Sequence, residues 1–368
     1  MKTTALLLMA PALLTTSAPL LSATPEERLD VMEQRLKVLE QQEPTHHHLP
    51  IETMEESGNQ TASAESLADR LVFNGVMEVE AQQISPDEGD NSSGLYLATL
   101  ELGVAARVND WTSAEIVLLY EDDGTHSGDI AVDTGIVLLA DPQNSWYLVA
   151  GQYALPFGDF STNLLSDPLT LEAAETYDVA LEAGYETNGA TLAVYVFKGD
   201  QQDEISNGGV RLGYSLEHDD LALSTSIGWI NDLSETDSVV DEGSAALNKA
   251  PAWSLFAQLD WGAVTLIGEY LAATEALDVY STTDKPSFYN LEAAYHFEVV
   301  HMPMTFAVGW QASDEARNYA GGMDENRALA ALSAGLAESV DFTLEVARSE
   351  DYDGAEDRII TAQLAVAY

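Results

Sequence analysis

The sequence predicts an all-β fold, a 16-stranded antiparallel transmembrane β-barrel over residues 71–368. Two observations predict it. Apolar and polar residues alternate with a period of two from Val72 onward, and the alternating segments are joined in turn by short and long connections. Closing the strands into a barrel would satisfy every backbone group that lipid cannot bind, so the pattern indicates a membrane-spanning sheet.

The segment Leu95–Val108 illustrates the alternation. Its even-numbered positions are all apolar or aromatic, whereas Thr99, Glu101 and Arg107 occupy odd-numbered positions. Successive side chains of a strand point to opposite faces, so one face is apolar and the other is polar enough to contact water. The alternating segments are about 10–13 residues long, near the length that a tilted strand needs to cross a bilayer.

Sixteen such segments follow one another, joined by seven short and eight long connections. Short periplasmic turns and longer extracellular loops are typical of bacterial outer-membrane barrels. We therefore expect the protein in the outer membrane of a Gram-negative bacterium, in contact with outer-membrane lipid. The segments begin near Phe73, Gly94, Thr112, Ile130, Trp146, Glu175, Ala190, Gly209, Leu221, Ala252, Val264, Ser287, Met304, Arg327, Val340 and Arg358.

A secreted β-sandwich or β-solenoid would also alternate apolar and polar residues. Aromatic residues near the segment ends favour the barrel instead, because girdles of aromatic residues mark the two membrane interfaces. The last segment ends at Tyr368 with apolar residues on the same face. This ending is similar to the C-terminal signal of outer-membrane barrels and implies insertion by the barrel assembly machinery. The expected girdle residues are Tyr96, Trp111, Tyr120, Trp146, Tyr147, Trp229, Trp253, Trp261 and Tyr270.

The composition of the chain excludes several classes of protein. The 368 residues include 62 Asp and Glu against 14 Lys and Arg, a formal net charge of −48, which argues against nucleic-acid binding. The absence of cysteine excludes disulfides, Cys-ligated metals and thiol nucleophiles. No catalytic serine, carboxylate or zinc arrangement is visible, so we expect no enzyme, cofactor or metal. Such acidity is typical of halophilic proteins that stay soluble in salty surroundings.

Three segments precede the predicted barrel. Residues 1–23 resemble a secretory signal peptide, with Lys2 ahead of an apolar run. Residues 24–43 form a short coiled-coil-like helix, which could associate copies of the chain through residues 25–42 or lie on the barrel as an amphipathic helix. Residues 44–70 are a Ser-, Thr- and Glu-rich linker that carries His46–His48, at best a weak metal-binding tract.

If the apolar faces contact lipid, the polar faces line the lumen, and most of their charges are carboxylates. Sixteen strands leave room for an aqueous channel. Carboxylates along a pore attract cations and repel anions. Two interpretations remain open: the carboxylates set the ion selectivity, or they are only solvated and one loop sets it. The predicted lumen charges are Glu78, Glu80, Glu101, Arg107, Glu115, Glu182, Arg211, Glu217, Asp260, Glu269, Glu292, Arg327 and Glu345.

The connection between the fifth and sixth segments differs from the other long connections. It is less acidic and carries apolar and aromatic residues that would not be stable in free water. Such a loop could fold into the lumen and constrict it, or it could pack over the barrel rim. The candidate constriction or substrate residues are Gln152, Tyr153, Pro156, Phe157, Gly158, Phe160, Asn163, Ser166, Pro168 and Glu172.

Three features of the sequence form a combined pattern. They are the stretch G-Q-Y-x-x-P-F-G-x-F-x-T-N-x-x-S-x-P-L-T-L-E at Gly151–Glu172, the opening Phe73-Asn74-Gly75-Val76 and the aromatic C-terminus. In this pattern the chain resembles the LbtU-family siderophore porins. The resemblance implies a 16-stranded outer-membrane barrel that takes up a ferric siderophore. The open alternatives are a general cation-favouring porin and a surface barrel that transports nothing.

Overall fold

The computed structural model describes residues 70–368 except 88, 123–127, 142, 242–247 and 280–281. Sixteen strands of this part close into one antiparallel barrel, which confirms the predicted fold class. The signal peptide, the coiled-coil-like helix, nearly all of the linker and the His46–His48 tract lie outside the described residues. No helix in the described part is both long enough and apolar enough to cross a membrane.

Each barrel strand pairs with its sequence neighbours, and the first strand pairs with the last. A separate hairpin, β12 (Leu277–Val279) with β13 (Thr282–Asp284), extends from one long loop and was not predicted. The barrel strands are β1 (Leu71–Pro86), β2 (Ser92–Asn109), β3 (Thr112–Glu121), β4 (Ala131–Ala140), β5 (Trp146–Ala154), β6 (Tyr177–Thr187), β7 (Ala190–Phe197), β8 (Asn207–His218), β9 (Leu221–Ile230), β10 (Ala252–Trp261), β11 (Val264–Ala273), β14 (Ser287–Val299), β15 (Met302–Asp314), β16 (Asn326–Ala337), β17 (Val340–Glu350) and β18 (Glu356–Ala367).

Side chains alternate between the two faces of the barrel as the sequence pattern predicts. On β14, Leu291 is exposed on the outer face, whereas its neighbours Asn290 and Glu292 face inward and are buried. The outer face carries exposed apolar side chains on most strands, as a lipid-facing surface requires.

Short turns and long loops lie at opposite ends of the barrel. The β6–β7 turn contains only Asn188 and Gly189, whose φ angles are 47° and 80°. Positive φ at both central residues is the requirement of a type I′ hairpin turn, which Asn-Gly meets readily. By the usual orientation of outer-membrane barrels, this end faces the periplasm and the long loops face outward.

The barrel closes between β1 and β18. The Gly75 N–H donates to the Tyr368 carbonyl at 2.9 Å, and the Tyr368 N–H donates to the Gly75 carbonyl at 3.0 Å. A Cβ atom on Gly75 would lie 2.6 Å from the Tyr368 ring, so the aromatic terminus packs directly over the glycine. The opening and the end of the barrel therefore meet at one contact.

A β-bulge corrects part of the predicted aromatic girdle. Thr99 lies opposite Glu78 and Leu97 lies opposite Val79, so the register skips Ala98 and the facing of β2 reverses there. Tyr96 therefore faces inward, where its hydroxyl donates to Glu80 at 3.1 Å.

Tyr147 is also turned inward and is 7% exposed, because it follows the outward Trp146 along the strand. The girdle prediction is wrong for both tyrosines. Trp111, Trp146, Trp253, Trp261 and Tyr270 are exposed, as predicted for girdle residues.

Candidate functional site

The β5–β6 connection, residues 155–176, folds into the barrel lumen, and we call it the lumen loop. It contains the short helix α1 (Leu169–Ala174), whose buried residues pack near β11, β14 and β15. Phe157 and Leu169 are fully buried, so the apolar residues of the loop are shielded from water. The apolar side chains of the loop are thus packed inside the protein, which explains why this long connection can be rich in apolar residues.

Glycine allows the sharp bend at the start of the lumen loop. Gly158 has a φ of 120°, in the region that residues with a side chain rarely adopt. A Cβ atom there would lie 2.3 Å from the Phe160 ring. After this bend, the backbone N–H groups of the next residues point toward the barrel wall.

Three inward glutamates accept hydrogen bonds from the backbone of the lumen loop. Glu269 on β11 accepts from the Asp159 N–H at 2.8 Å. Glu292 on β14 accepts from the Asn163 N–H at 2.7 Å. Glu345 on β17 accepts from the Leu165 N–H at 2.7 Å and the Ser166 N–H at 3.1 Å. We call these three residues the anchor glutamates.

Side chains of the loop reinforce the same contacts. The Thr170 hydroxyl donates to Glu269 at 2.7 Å, and the Thr162 hydroxyl and the Asn163 amide each donate to Glu292 at 2.7 Å. The Ser166 hydroxyl donates to Glu345. Hydrogen bonds to an ionised carboxylate are shorter and stronger than neutral ones. Every anchor glutamate therefore binds both backbone and side-chain donors.

The anchor contacts recur at intervals of three residues along the loop, while their partners move around the barrel. Residues 159, 162–163 and 165–166 bind glutamates on β11, β14 and β17 in that order. Glu292 lies in the middle of the 13-residue strand Ser287–Val299, not at its end. The loop therefore enters the lumen, and the alternative of packing only over the rim is excluded.

Two arginines fix the beginning and the end of the loop. Arg211 on β8 pairs with Asp159, which also accepts from the Ser226 hydroxyl on β9. Arg327 on β16 pairs with Glu172 of α1 through a two-point contact, one arm of which is 3.0 Å long. Both pairs are largely shielded from water, where paired charges hold their geometry well.

Four of the predicted lumen carboxylates are buried under other inward side chains or under the lumen loop. Glu182 accepts from the hydroxyls of Tyr147 at 2.8 Å and Tyr153 at 3.0 Å. It is 4% exposed, and the anchor glutamates are 1–5% exposed. The period-two pattern predicted correctly that these side chains face inward, but it contains no information about what covers them. The four side chains are therefore covered and do not line the open passage.

The predicted charges on β1 to β3 remain accessible in part. Glu80, Glu101 and Glu115 are half-buried, whereas Glu78 is 8% exposed. Glu80 accepts from Tyr96 at 3.1 Å and from Gln363 at 2.9 Å. These residues lie on β1 to β3, which β18 separates from the strand β17 of the anchor residue Glu345.

The other predicted residues have scattered positions. Arg107 and Glu217 are exposed near the short-turn end, and Asp260 accepts from the Gln258 amide at 3.0 Å. Gln152 donates to the Val132 carbonyl at 2.9 Å. Pro156 and Phe160 are half-buried in the loop, and Pro168 is buried where α1 begins.

The sequence did not predict an apolar core at the outer mouth, formed by loops that pack on α1. Tyr319, from the β15–β16 loop, donates to the Ala173 carbonyl at 2.7 Å and lies 3.1 Å from the Thr236 hydroxyl of the β9–β10 loop. Its ring packs on Phe288, with centroids 5.3 Å apart. We call this cluster the mouth core; its buried members include Ala173, Leu233, Val239, Ala250, Leu277, Ala316 and Met323.

Carboxylates converge where the lumen loop rejoins β6. Glu175 is half-buried there, and the Asp237 N–H donates to its carbonyl at 3.0 Å. Burial and nearby carboxylates raise the pKa of Glu175 to about 8. These neighbours are Asp167, Asp237, Glu121 and Asp133. Within the described residues, no group of three or more His, Asp or Glu could hold a metal ion.

Comparison of the sequence with known proteins gives distant relatives. No family model matches the chain. It is 20% identical over 304 residues to a UPF0422 protein of Coxiella burnetii, covering 77% of this chain and 65% of that protein. It is 29% identical over 223 residues to a UPF0422 protein of Legionella pneumophila, covering 57% of this chain and 41% of that protein. The chain thus spans less than two thirds of the length of either relative.

Comparison with solved structures identifies the fold. Pseudomonas putida OprB matches with a TM-score of 0.59 at 10% identity, covering 82% of this chain and 95% of that one. The anion-selective porin of Comamonas acidovorans matches with a TM-score of 0.58 at 12% identity, covering 81% and 99%. The fold is that of an outer-membrane porin. The outer membrane channel DcaP of Acinetobacter baumannii matches with a TM-score of 0.55 at 13% identity, covering 81% and 97%.

The porin-like fold supports an outer-membrane location in a Gram-negative bacterium. It agrees with the exposed apolar outer face and with the unequal connections at the two ends of the barrel. Sequence identities of 10–13% show a common fold only, so the chemistry of the lumen has to be argued from this chain's own residues.

Proposed function

We propose that the protein is an outer-membrane diffusion channel, narrowed by the lumen loop and selective for cations. The observation that carries the proposal is the attachment of this loop to mid-wall glutamates on β11, β14 and β17. A loop held at three points across five of the sixteen barrel strands leaves a fixed and restricted passage beside it. Passive channels need such a fixed passage to discriminate between solutes by size and charge.

The charge of the passage supports a preference for cations. Glu80 and Glu101 are accessible on the wall, and Asp167 is exposed on the loop. The two arginines nearest the loop, Arg211 and Arg327, are already paired with carboxylates. Fixed carboxylates raise the local cation concentration and exclude anions. The porin fold itself does not decide the sign, because one structural relative is an anion-selective porin.

Single-channel recording of the purified full-length chain in a planar bilayer tests the channel proposal. We expect stable, ohmic current steps in potassium chloride. A matched recording of heat-unfolded protein should show no steps. A folded, heat-modifiable barrel that gives no steps would contradict the proposal and favour a surface barrel that transports nothing.

A ferric siderophore is the second candidate solute, and it rests on the similarity of Gly151–Glu172 to the loop stretch of siderophore porins. The acidic passage favours a neutral or cationic ferric complex, such as a trihydroxamate, over an anionic polycarboxylate. Micromolar trihydroxamate complex should cause brief interruptions of the single-channel current, and an equal concentration of the polycarboxylate complex should not. Current that is unaffected by both complexes would contradict siderophore transport but leave the channel proposal intact.

We also propose two macromolecular partners of the protein. Residues 25–42 would associate copies of the chain in the periplasm, and the barrel assembly machinery would insert the barrel through its C-terminal strand. Cross-linking of the full chain and of a variant lacking residues 25–42 in outer membranes tests the first of these. Equal yields of oligomer from both would contradict it.

A further inference from the structure

The inward carboxylates fall into two groups that differ in position and exposure. Glu269, Glu292 and Glu345 are 4%, 5% and 1% exposed and bind the lumen loop. Glu80 and Glu101 are half-buried and lie on β1 and β2, which β18 separates from the strand β17 of Glu345. The alternation of side chains along each strand places both groups on the inward face of the sheet. Only the position of the lumen loop makes one group buried and leaves the other accessible.

We propose that the two groups have different tasks: the anchor glutamates position the lumen loop, and the wall carboxylates Glu80 and Glu101 determine the charge selectivity. This inference deepens the proposed channel function and rests on it. It makes Glu269, Glu292 and Glu345 positioning residues that act through the loop, not contacts of the permeating ion.

Hydrogen-bond geometry supports the positioning role. The loop segment 159–172 binds side chains on β8, β9, β11, β14, β15, β16 and β17. An ion behind this segment would have to displace backbone N–H groups from a buried carboxylate. Leaving such buried groups without hydrogen bonds is energetically unfavourable. The solute path therefore lies along the remaining arc of wall, which includes β18 and β1 to β4.

The accessible arc has the chemistry of a cation path. Glu80 is held by Tyr96 and Gln363, so its carboxylate has a fixed direction. Glu121 on β3 and Asp167 on the lumen loop are both exposed carboxylates. A path lined on both sides by carboxylates discriminates by charge without a specific binding site.

Charge-matched double variants test the division of tasks. Glu80→Gln with Glu101→Gln and Glu292→Gln with Glu345→Gln each remove two inward carboxylates from the full-length chain. The first pair should lower the permeability ratio of potassium over chloride by about twofold or more at low salt. The second pair should change this ratio less, but should raise the conductance and its fluctuations, because the loop is released. An equal loss of selectivity in both variants would overturn the inference.

Cysteine accessibility gives a second test that does not depend on the glutamate variants. The chain has no cysteine, so each introduced thiol is the only one. Gln82→Cys lies on the accessible arc, and Asn290→Cys replaces a fully buried residue behind the loop. A cationic methanethiosulfonate reagent should lower the current through the first and leave the second unchanged. In a chain that also lacks Asp159–Leu165, Asn290→Cys should become reactive.

The outcomes separate the two proposals. Current block at Asn290→Cys with the loop intact would overturn the division of tasks while the channel still conducts cations. An absence of current steps, or a preference for chloride in the intact chain, would instead contradict the channel proposal itself.

Discussion

Gly75 and Tyr368 show how single residues determine whether the barrel closes. Their backbones exchange two hydrogen bonds, and the tyrosine ring covers the position where a side chain would project from the glycine. Tyr368 is 63% exposed on the outer face, so its packing on Gly75 shields backbone at the seam more than it fills a core. A glycine is needed here for close approach and not for backbone conformation.

Replacing Gly75 should therefore destabilise the seam. Gly75→Val forces the Tyr368 ring away, and overpacking of this kind costs about 1–3 kcal/mol. We expect the folded, fast-migrating gel form to convert to the unfolded form at a lower temperature. Gly268→Ala is the matched control, because a Cβ atom there would lie 3.5 Å from Leu291, an ordinary contact. Equal melting temperatures for the Gly75 variant and the native chain would contradict the seam packing.

Glu175 predicts a pH dependence of the channel. Its pKa is raised to about 8, mainly by burial, so the side chain is largely neutral below pH 7 and gains its charge as the pH rises through 8. The preference for cations should increase between pH 7 and pH 9. Because the folded-state pKa lies above the ordinary value of 4.5, folding takes up a proton between these two values, so stability should fall as pH rises from about 4.5 to about 8 and level off above that. Glu175→Gln should flatten both curves; unchanged curves would contradict the assignment.

At the scale of elements, the lumen loop shows what a sequence can and cannot predict. Its apolar composition and its Pro-Phe-Gly motif distinguish it from the other long loops in the sequence alone. Its partners could not be predicted, because the anchor glutamates are 99–180 residues away in sequence. The local alternation of apolar and polar residues determines the face of the sheet on which a residue lies. Whether that residue is then buried depends on where a distant loop folds.

Removing the centre of the lumen loop should widen the passage. Deletion of Asp159–Leu165 removes the contacts that these residues make to Arg211, Glu269 and Glu292 and frees space inside the barrel. Single-channel conductance should rise, and discrimination between large solutes in liposome-swelling assays should fall. Deletion of the exposed residues Asp203–Ile205 is the control for shortening an outer loop. Unchanged conductance after the first deletion would show that the loop does not limit the passage.

Tyr319 connects three loops of the mouth core and should control their stability. Tyr319→Phe keeps the ring on Phe288 but removes the hydroxyl that contacts Ala173 and Thr236. A buried group left without a partner costs about 1–3 kcal/mol. Amide hydrogen exchange should accelerate in residues 169–174 and 232–241, with little change in the barrel strands. Equal exchange rates in Tyr319→Phe and in the native chain would contradict the connecting role of Tyr319.

At the scale of the whole molecule, the closed 16-stranded barrel follows from repetition of one simple pattern. Period two and alternating connection lengths are local properties, so the strands and their order were predicted almost completely. The small hairpin β12–β13 was missed, because it lies inside a loop and spans too few residues to show a period. The bulge at Ala98 was missed for a related reason: one skipped residue reverses the facing of a strand without changing its composition.

The net charge of −48 is also a property of the whole molecule, and it bears on the central claim that the passage favours cations. Acidic outer loops add a long-range attraction for cations to the local effect of Glu80 and Glu101. This attraction is screened by salt, since the Debye length falls from about 10 Å at 0.1 M to about 3 Å at 1 M ionic strength. Selectivity should therefore be strongest in dilute solution.

The most direct measurement is the zero-current potential of the intact channel across a tenfold gradient of potassium chloride. We predict a potential that is positive on the dilute side, because potassium crosses faster than chloride, and that declines as both concentrations are raised together toward 1 M. A potential that is negative on the dilute side would mean that chloride crosses faster, and would contradict a passage lined by accessible carboxylates.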